Sequence, residues 1–271
     1  MITPSYIDKT KRYKQRCQRR LRTLFSPPPP LNFSSTDYLN LINHPYVKEQ
    51  GIAYSIKWGS GCLTTRMLPS YDEALKKGES RLATFLGTET VTFYESNPTL
   101  LASISHVDDT LSFGILGPHG FGLSAQKEGI DLIGGGFSKS FGTYVSYIGC
   151  SKDLKSELFD KFPILHKEQY IPPLFLGMID ATIQLLPSMQ AERKRFFDLK
   201  NLLLTTLRKA GYSSPSLPIA LHSHLLEHNI IPTVHQNHLT LSPNLSLSEK
   251  DILSRLPILS SYQSPSLVES L

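Results

Sequence analysis

The chain has 271 residues, 40% of them hydrophobic and 19% charged, which is material for one large domain or a main domain with a smaller appended lobe. No run approaches the roughly 18 to 20 uninterrupted apolar residues that cross a bilayer, and no apolar stretch follows the basic N-terminus, so neither a membrane span nor a secretion signal is expected and the chain reads as cytoplasmic. Cys17, Cys62 and Cys150 are widely spaced and form no C-x-x-C pair, which argues against a disulfide framework or a thiolate zinc site. The net charge of +5 concentrates in residues 9–22, where eight Lys/Arg occur without an acid; the run reads as a solvated helix face rather than a nucleic-acid arm.

Residues 7–24 carry a helical pattern that Ser26 and the four prolines Pro27 to Pro30 must end, because successive prolines fix φ and remove donors. Residues 1–30 therefore form a basic helix with a proline-rich linker. The segment LNFSSTDYLNLINHP (31–45) alternates and then turns, as a short strand entering a loop would. A Gly-Ser-Gly turn at 59–61 precedes a helix over 71–86, which directs Leu75, Leu82, Phe85 and Leu86 to a core, and a strand over 90–95. Apolar segments at 106–111, 130–134 and 144–150 follow, separated by glycine-rich or short polar stretches, the pattern of an α/β sheet whose strand ends carry a site.

From Ser151 the pattern becomes helical, over 152–159 and over 173–210, with Pro187 interrupting the second helix and Gly211 as its C-cap. Beyond Tyr212 the chain is rich in Ser, Pro and His and reads as a small α+β lobe. The expected organisation is a large domain over 31–175, then a connecting helix and small C-terminal domain over 176–271.

The segment DLIGGGFSKSFG (131–142) raises the chemical question, since Lys139 could be an ordinary loop lysine. Four motifs bear on it. NFSSTDYLNLINHP (32–45) resembles F-S-S-N-D-Y-L-G-L, and GSGCLTTR (59–66) resembles G-x-G-G-S-R. VDDTLSFGILGPHGFG (107–122) resembles V-D-E-A-H-G-x-G-x-x-G-x-x-G-x-G, and GGFSKSFG (135–142) resembles G-T-F-x-K-A-x-G. In that order they resemble the α-oxoamine synthases, pyridoxal-phosphate enzymes of the aspartate-aminotransferase fold (fold type I), and most of all the branch that makes 8-amino-7-oxononanoate for biotin.

The resemblance implies roles for particular residues. Lys139 would join the cofactor aldehyde as a Schiff base and then serve as base or acid at the substrate α-carbon. Asp108 would stand against the pyridine nitrogen and keep it protonated. Ser96 and Asn97 fall where the family binds phosphate at a helix N-terminus, although Pro98 removes one donor there and Ser96 reads equally as an ordinary N-cap. Ser138 would be a further phosphate or ring contact. The implied reaction condenses an amino acid, L-alanine in this branch, with an acyl-CoA thioester, pimeloyl in this branch, and releases an aminoketone, CoA and CO2. A homodimer is implied as well.

Three departures qualify the resemblance. The family's histidine three residues after the aspartate is Leu111 here, and leucine donates no hydrogen bond. LLEHNIIPTV (225–234) resembles the family's L-x-x-x-G-I-x-V, but HLTLSPNLSLSEKDI (238–252) stands where an R-x-R segment would bind the substrate carboxylate. Eleven residues, 96–106, replace a long stretch that carries the ring-stacking histidine. Together these departures support a second reading, a degenerate homologue that keeps cofactor or partner binding and has lost turnover.

The family's strand order, 3-2-4-5-6-7-1, makes that shortening interpretable. Losing its second to fourth strands leaves the segments 90–95, 144–150, 130–134 and 106–111 as successive neighbours in a large domain with a reduced sheet. The link over 96–106 then crosses three strand spacings, roughly 14 Å, and returns along a strand of roughly 17 Å. Eleven extended residues reach roughly 36 Å, whereas eleven helical ones cover only about 16 Å, so no regular crossover helix is expected. The strand at 106–111 becomes an edge that a dimer would cover. The histidines at 222, 224, 228, 235 and 238 lack the carboxylate of an H-E-x-x-H motif, and no metal is expected from them.

Overall fold

The computed structural model describes residues 30–61, 69–95, 107–162 and 171–262. The basic run at 9–22 and the expected helix at 7–24 lie outside the described residues. In chain order the elements are β1 (Leu31–Asn32), α1 (Pro45–Trp58), α2 (Pro69–Leu86), β2 (Thr90–Glu95), β3 (Val107–Asp108), β4 (Leu132–Gly136), α3 (Ser138–Phe141), β5 (Val145–Cys150), α4 (Lys152–Lys161), α5 (Pro173–Leu185) and α6 (Gln190–Lys209). The remainder comprises β6 (Ser216–Pro218), α7 (His222–Glu227), β7 (Ile230–Ile231), β8 (Thr233–Val234), β9 (His238–Thr240) and α8 (Glu249–Arg255).

The described residues divide into two compact units, one within 35–201 with 243–246, the other of residues 30–34, 202–242 and 247–262. The larger holds a four-stranded sheet in the order β2-β5-β4-β3, the neighbour order expected from the shortened family sheet. β4 runs parallel to β3 and antiparallel to β5, and β5 runs antiparallel to β2. The carboxyl ends of β2, β3 and β4 therefore lie at one end of the sheet. The strand expected over 106–111 shrinks to two residues because the Asp109 carbonyl accepts from the amides of Ser112 and Phe113, at 3.0 and 2.8 Å, and turns the chain off the ladder. The strand expected over 130–134 sits two residues later, since Gly129 at φ 77° prolongs the preceding turn.

Strand alternation sorts the side chains onto two faces. Val91, Phe93, Ile133, Val145 and Tyr147 pack into the main core with residues of α1, α2 and α5. Tyr94, Leu132, Ile148 and Cys150 pack with Leu158 of α4 on the other. Phe113 meets Phe137, Phe141 and Tyr147 within that main core, with ring centroids 5.3 to 5.6 Å apart, the tilted and edge-on spacing that aromatic quadrupoles favour.

Of the residues expected to face the core on α2, Leu75, Leu82 and Leu86 are fully buried and Phe85 is partly buried. Its start at Pro69 rather than 71 suits proline's preset φ in a first helical turn. The helix α1 was not expected from the sequence. It packs on α5 through paired glycines: a Cβ on Gly177 would lie 2.4 Å from the Gln50 carbonyl oxygen, and one on Gly51 would lie 3.0 Å from Met178. Pro187 acts as expected, ending α5 in a short 3-10 turn, Leu186–Ser188, before α6 begins. Buried Asp180 of α5 joins three helices: it accepts from the Tyr54 hydroxyl of α1 at 2.7 Å, pairs with Arg81 of α2 and lies 3.4 Å from Lys77 Nζ. Burial, and then the bond to Asp180, raises the Tyr54 phenol above its ordinary range.

In the smaller unit β1 pairs in parallel with β7, and β6, β9 and β8 form an antiparallel sheet in that order. Leu217, Leu221, Leu225, Ile230, Leu239 and Ile252 are buried there. α8 begins with a capping box in which the Ser248 hydroxyl accepts from the Asp251 amide and the Asp251 carboxylate accepts from the Ser248 amide, a reciprocal arrangement that satisfies two orphan donors. The His224 ring pairs with the Ile258 carbonyl at 3.3 Å and the His228 ring with the His224 carbonyl at 2.9 Å. Among the described residues no group of three or more His, Cys, Asp or Glu side chains is placed to hold a metal ion.

Candidate active site

The site begins with strand register. Asp108 is the last residue of β3 and pairs with Gly134 of β4. Two residues further along β4 the strand ends at Gly136, and Lys139 follows on the short helix α3. Parallel pairing thus brings Asp108 and Lys139 to the same sheet end, where a ligand binds in an open α/β sheet. Both residues are exposed, so their charged ends face solvent or a ligand rather than the core.

The glycines of β4 make room beside this pair. A Cβ on Gly136 would lie 3.3 Å from the Ser146 hydroxyl and 3.4 Å from that of Thr110. Thr110 Oγ1 is buried without a protein hydrogen-bond partner, and the Thr110 amide donates to the Asp108 carboxylate at 2.9 Å. On the β5 side stand Tyr147 and, across from Ser146, Tyr94. Burial raises both phenols above their usual range. The Asp108 carboxylate adds to the shift at Tyr94, and Asp109 followed by Asp108 adds to it at Tyr147. The Tyr147 hydroxyl lies over the Gly135 backbone, 2.4 Å from where a Cβ would stand.

The support for Lys139 comes from the segment before α1. The Thr36 hydroxyl donates to the Ser138 carbonyl at 3.3 Å, and a Cβ on Gly142 would lie 3.2 Å from Ile42. Asp37, almost fully buried, accepts from the amides of Leu41 and Ile42 at 2.9 and 3.0 Å. Burial raises its carboxyl pKa, and those amides offset part of the rise. The resemblance of 32–45 to a family motif thus falls on a segment that packs against the lysine helix.

Sequence reasoning missed Asp109 and Thr110. Asp109 is 1% exposed, and its carboxylate accepts from the amides of Leu123 and Ser124 at 2.8 and 2.9 Å and from the hydroxyls of Ser112 and Ser124. A Cβ on Gly122, which sits at φ 97°, would come within 2.5 Å of that carboxylate. The repeated Asp in VDDT, with serines at 112 and 124, is the signal that was there to read. Ser138 is half-buried at the first position of α3. Ser96 and Asn97 lie outside the described residues. Leu111, three residues after Asp108 where the resembled motif has histidine, is 66% exposed and has no side-chain donor.

No protein-family model matches the chain. The 8-amino-7-oxononanoate synthase of Gluconacetobacter diazotrophicus is 24% identical over 278 residues, covering 68% of this chain and 70% of that protein. Those 278 positions exceed the share of this 271-residue chain that enters the alignment, so the relative carries stretches with no counterpart here. Among solved structures, the 8-amino-7-oxononanoate synthase of Francisella tularensis superposes with a TM-score of 0.71 at 16% identity, covering 89% of this chain and 99% of that one. A high-resolution structure of SPT with PLP superposes with a TM-score of 0.75 at 15% identity, covering 86% and 87%. The chain has the fold of these solved structures, and in sequence it is similar to 8-amino-7-oxononanoate synthases.

Proposed function

We propose that the chain is a pyridoxal-phosphate-dependent acyltransferase that condenses an amino acid with an acyl-CoA thioester and releases an aminoketone, CoA and CO2. The observation that carries this reading is the pairing of β3 with β4, which sets the Asp108 carboxylate and the Lys139 amine at one sheet end. The donor set suits the cofactor: an exposed primary amine for its aldehyde, a carboxylate for its ring nitrogen and, beside Gly136, the orphaned Thr110 hydroxyl. When bound, the cofactor supplies an electron sink for the carbanion at the substrate α-carbon.

The chain's own residues supply the rest. Lys139 Nζ holds the cofactor and afterwards takes or returns the proton at the α-carbon. Asp108 holds the proton on the ring nitrogen, a charge-assisted hydrogen bond. Ser138 is assigned a phosphate or ring contact, and Ser96 and Asn97 the phosphate itself. L-Alanine and a pimeloyl thioester are the proposed substrates, in the cytoplasm, with a homodimer covering the edge at β3. Burial of Phe113, Phe121 and Phe137 behind the strand ends keeps the site's floor dry, which strengthens charge interactions within it.

Leu111 favours a second reading, cofactor binding without turnover, because a solvent-exposed leucine stands where the family donates a hydrogen bond. Release of free CoA separates the two. With pyridoxal phosphate, L-alanine and an acyl-CoA, the first reading predicts CoA release that needs all three components and falls at least 10³-fold in Lys139→Ala, on the order of 4 kcal/mol. Cofactor binding with no CoA release would leave the second reading standing.

A further inference from the structure

We propose that Asp109 is a positioning residue that sets Asp108, an inference that rests on the reading of Asp108 as the carboxylate at the cofactor's ring nitrogen. β3 is an edge strand of two residues, too short for its own ladder to hold it firmly. Asp108 is exposed at its end. Asp109, one residue on, is engaged at every polar atom: its amide donates to the Gly134 carbonyl at 2.8 Å, its carbonyl accepts from Ser112 and Phe113, and its carboxylate accepts from Leu123, Ser124 and Ser112. Asp109 thus ties the exit of β3 to β4 through its backbone amide and to the segment 112–124 through its buried carboxylate.

A carboxylate is the group this cage requires. All four of its contacts are donors, and an asparagine would turn an NH2 toward some of them while keeping one acceptor oxygen. Burial makes such a mismatch costly, since the donors facing it would lose their acceptor away from water. The segment is closed over the carboxylate with no space to spare, as the contact at Gly122 shows. Because Thr110 donates to Asp108 and follows Asp109 directly, loosening Asp109 releases the amide that orients the Asp108 carboxylate.

Two measurements test this. In the chain without cofactor, Asp109→Asn should speed hydrogen exchange at the Thr110 amide by about tenfold or more while the amides of β5 keep their protection. Ser124→Ala, which removes one side-chain donor and spares the carboxylate, should give an intermediate effect. In binding titrations, wild type should prefer pyridoxal phosphate over its 1-deaza analogue, in which carbon replaces the ring nitrogen. Asp109→Asn should lose that preference as fully as Asp108→Asn does, with no further loss in the double variant. Unchanged Thr110 exchange, equal acceleration across β5, or a retained preference in Asp109→Asn would overturn the inference. A wild type with no preference would instead overturn the role read for Asp108, while the exchange measurement still decides whether Asp109 holds Thr110 in place.

Discussion

Tyr147 is fully buried, and its hydroxyl has no hydrogen-bond partner among the described residues. An unsatisfied buried donor costs about 1–3 kcal/mol, so Tyr147→Phe should be neutral or raise stability by roughly 1 kcal/mol in urea denaturation. Asp180 presents the opposite case, a buried carboxylate with several partners. Arg81→Ala leaves it with Lys77, whose side chain is half exposed, and should cost about 2–4 kcal/mol, whereas Lys77→Ala should cost under about 1 kcal/mol.

Cys150 gives the pH-dependent case at the same scale. Burial pushes its thiol up to about 11 from 9.0, with Lys155 opposing the shift and Glu89 adding to it. The unfolded thiol ionises first, so the contribution to stability is complete below pH 9.0 and is lost as pH rises toward about 11. Alkylation of the native chain, mapped by peptide mass, should therefore leave Cys150 unmodified at neutral pH and label it once the chain is unfolded.

At the scale of elements, the α1–α5 contact and the edge strand β3 decide most. Gly177→Ala would push a methyl against the Gln50 carbonyl and separate the helices, an overpacking cost of about 1–3 kcal/mol that circular-dichroism melts would register as a lower Tm. The helix α1 was not legible in its sequence because its apolar residues do not keep to one face. Ile52 and Ile56 are exposed, and Val47, Gly51 and Tyr54 are buried. What holds it is a glycine pair meeting a helix more than a hundred residues away, which no local pattern reports. The strands were legible because β4 is a continuous apolar and glycine run and β2 and β5 are short runs rich in β-branched and aromatic residues, each between turns. β3 was overestimated because the turn that ends it depends on Asp109 capturing Leu123 and Ser124, contacts made fourteen and fifteen residues downstream.

At the scale of the whole molecule, the neighbour order of the central sheet was legible, and the pairing of β3 with β4 brings residues 108 and 139 to one sheet end. The cage around Asp109 was not legible, because it forms only when the segment 112–124 folds back. Among the described residues no helix is long and apolar enough to cross a membrane. The relative's unmatched stretches agree with a sheet reduced to four strands in which Asp108 ends β3 and Lys139 follows β4 at the same sheet end. The central claim is that Lys139 carries the cofactor, and borohydride reduction after incubation with pyridoxal phosphate tests it most directly. The account predicts covalent cofactor on the peptide containing Lys139, absent in Lys139→Ala; labelling of some other lysine, or labelling that survives that substitution, would contradict it.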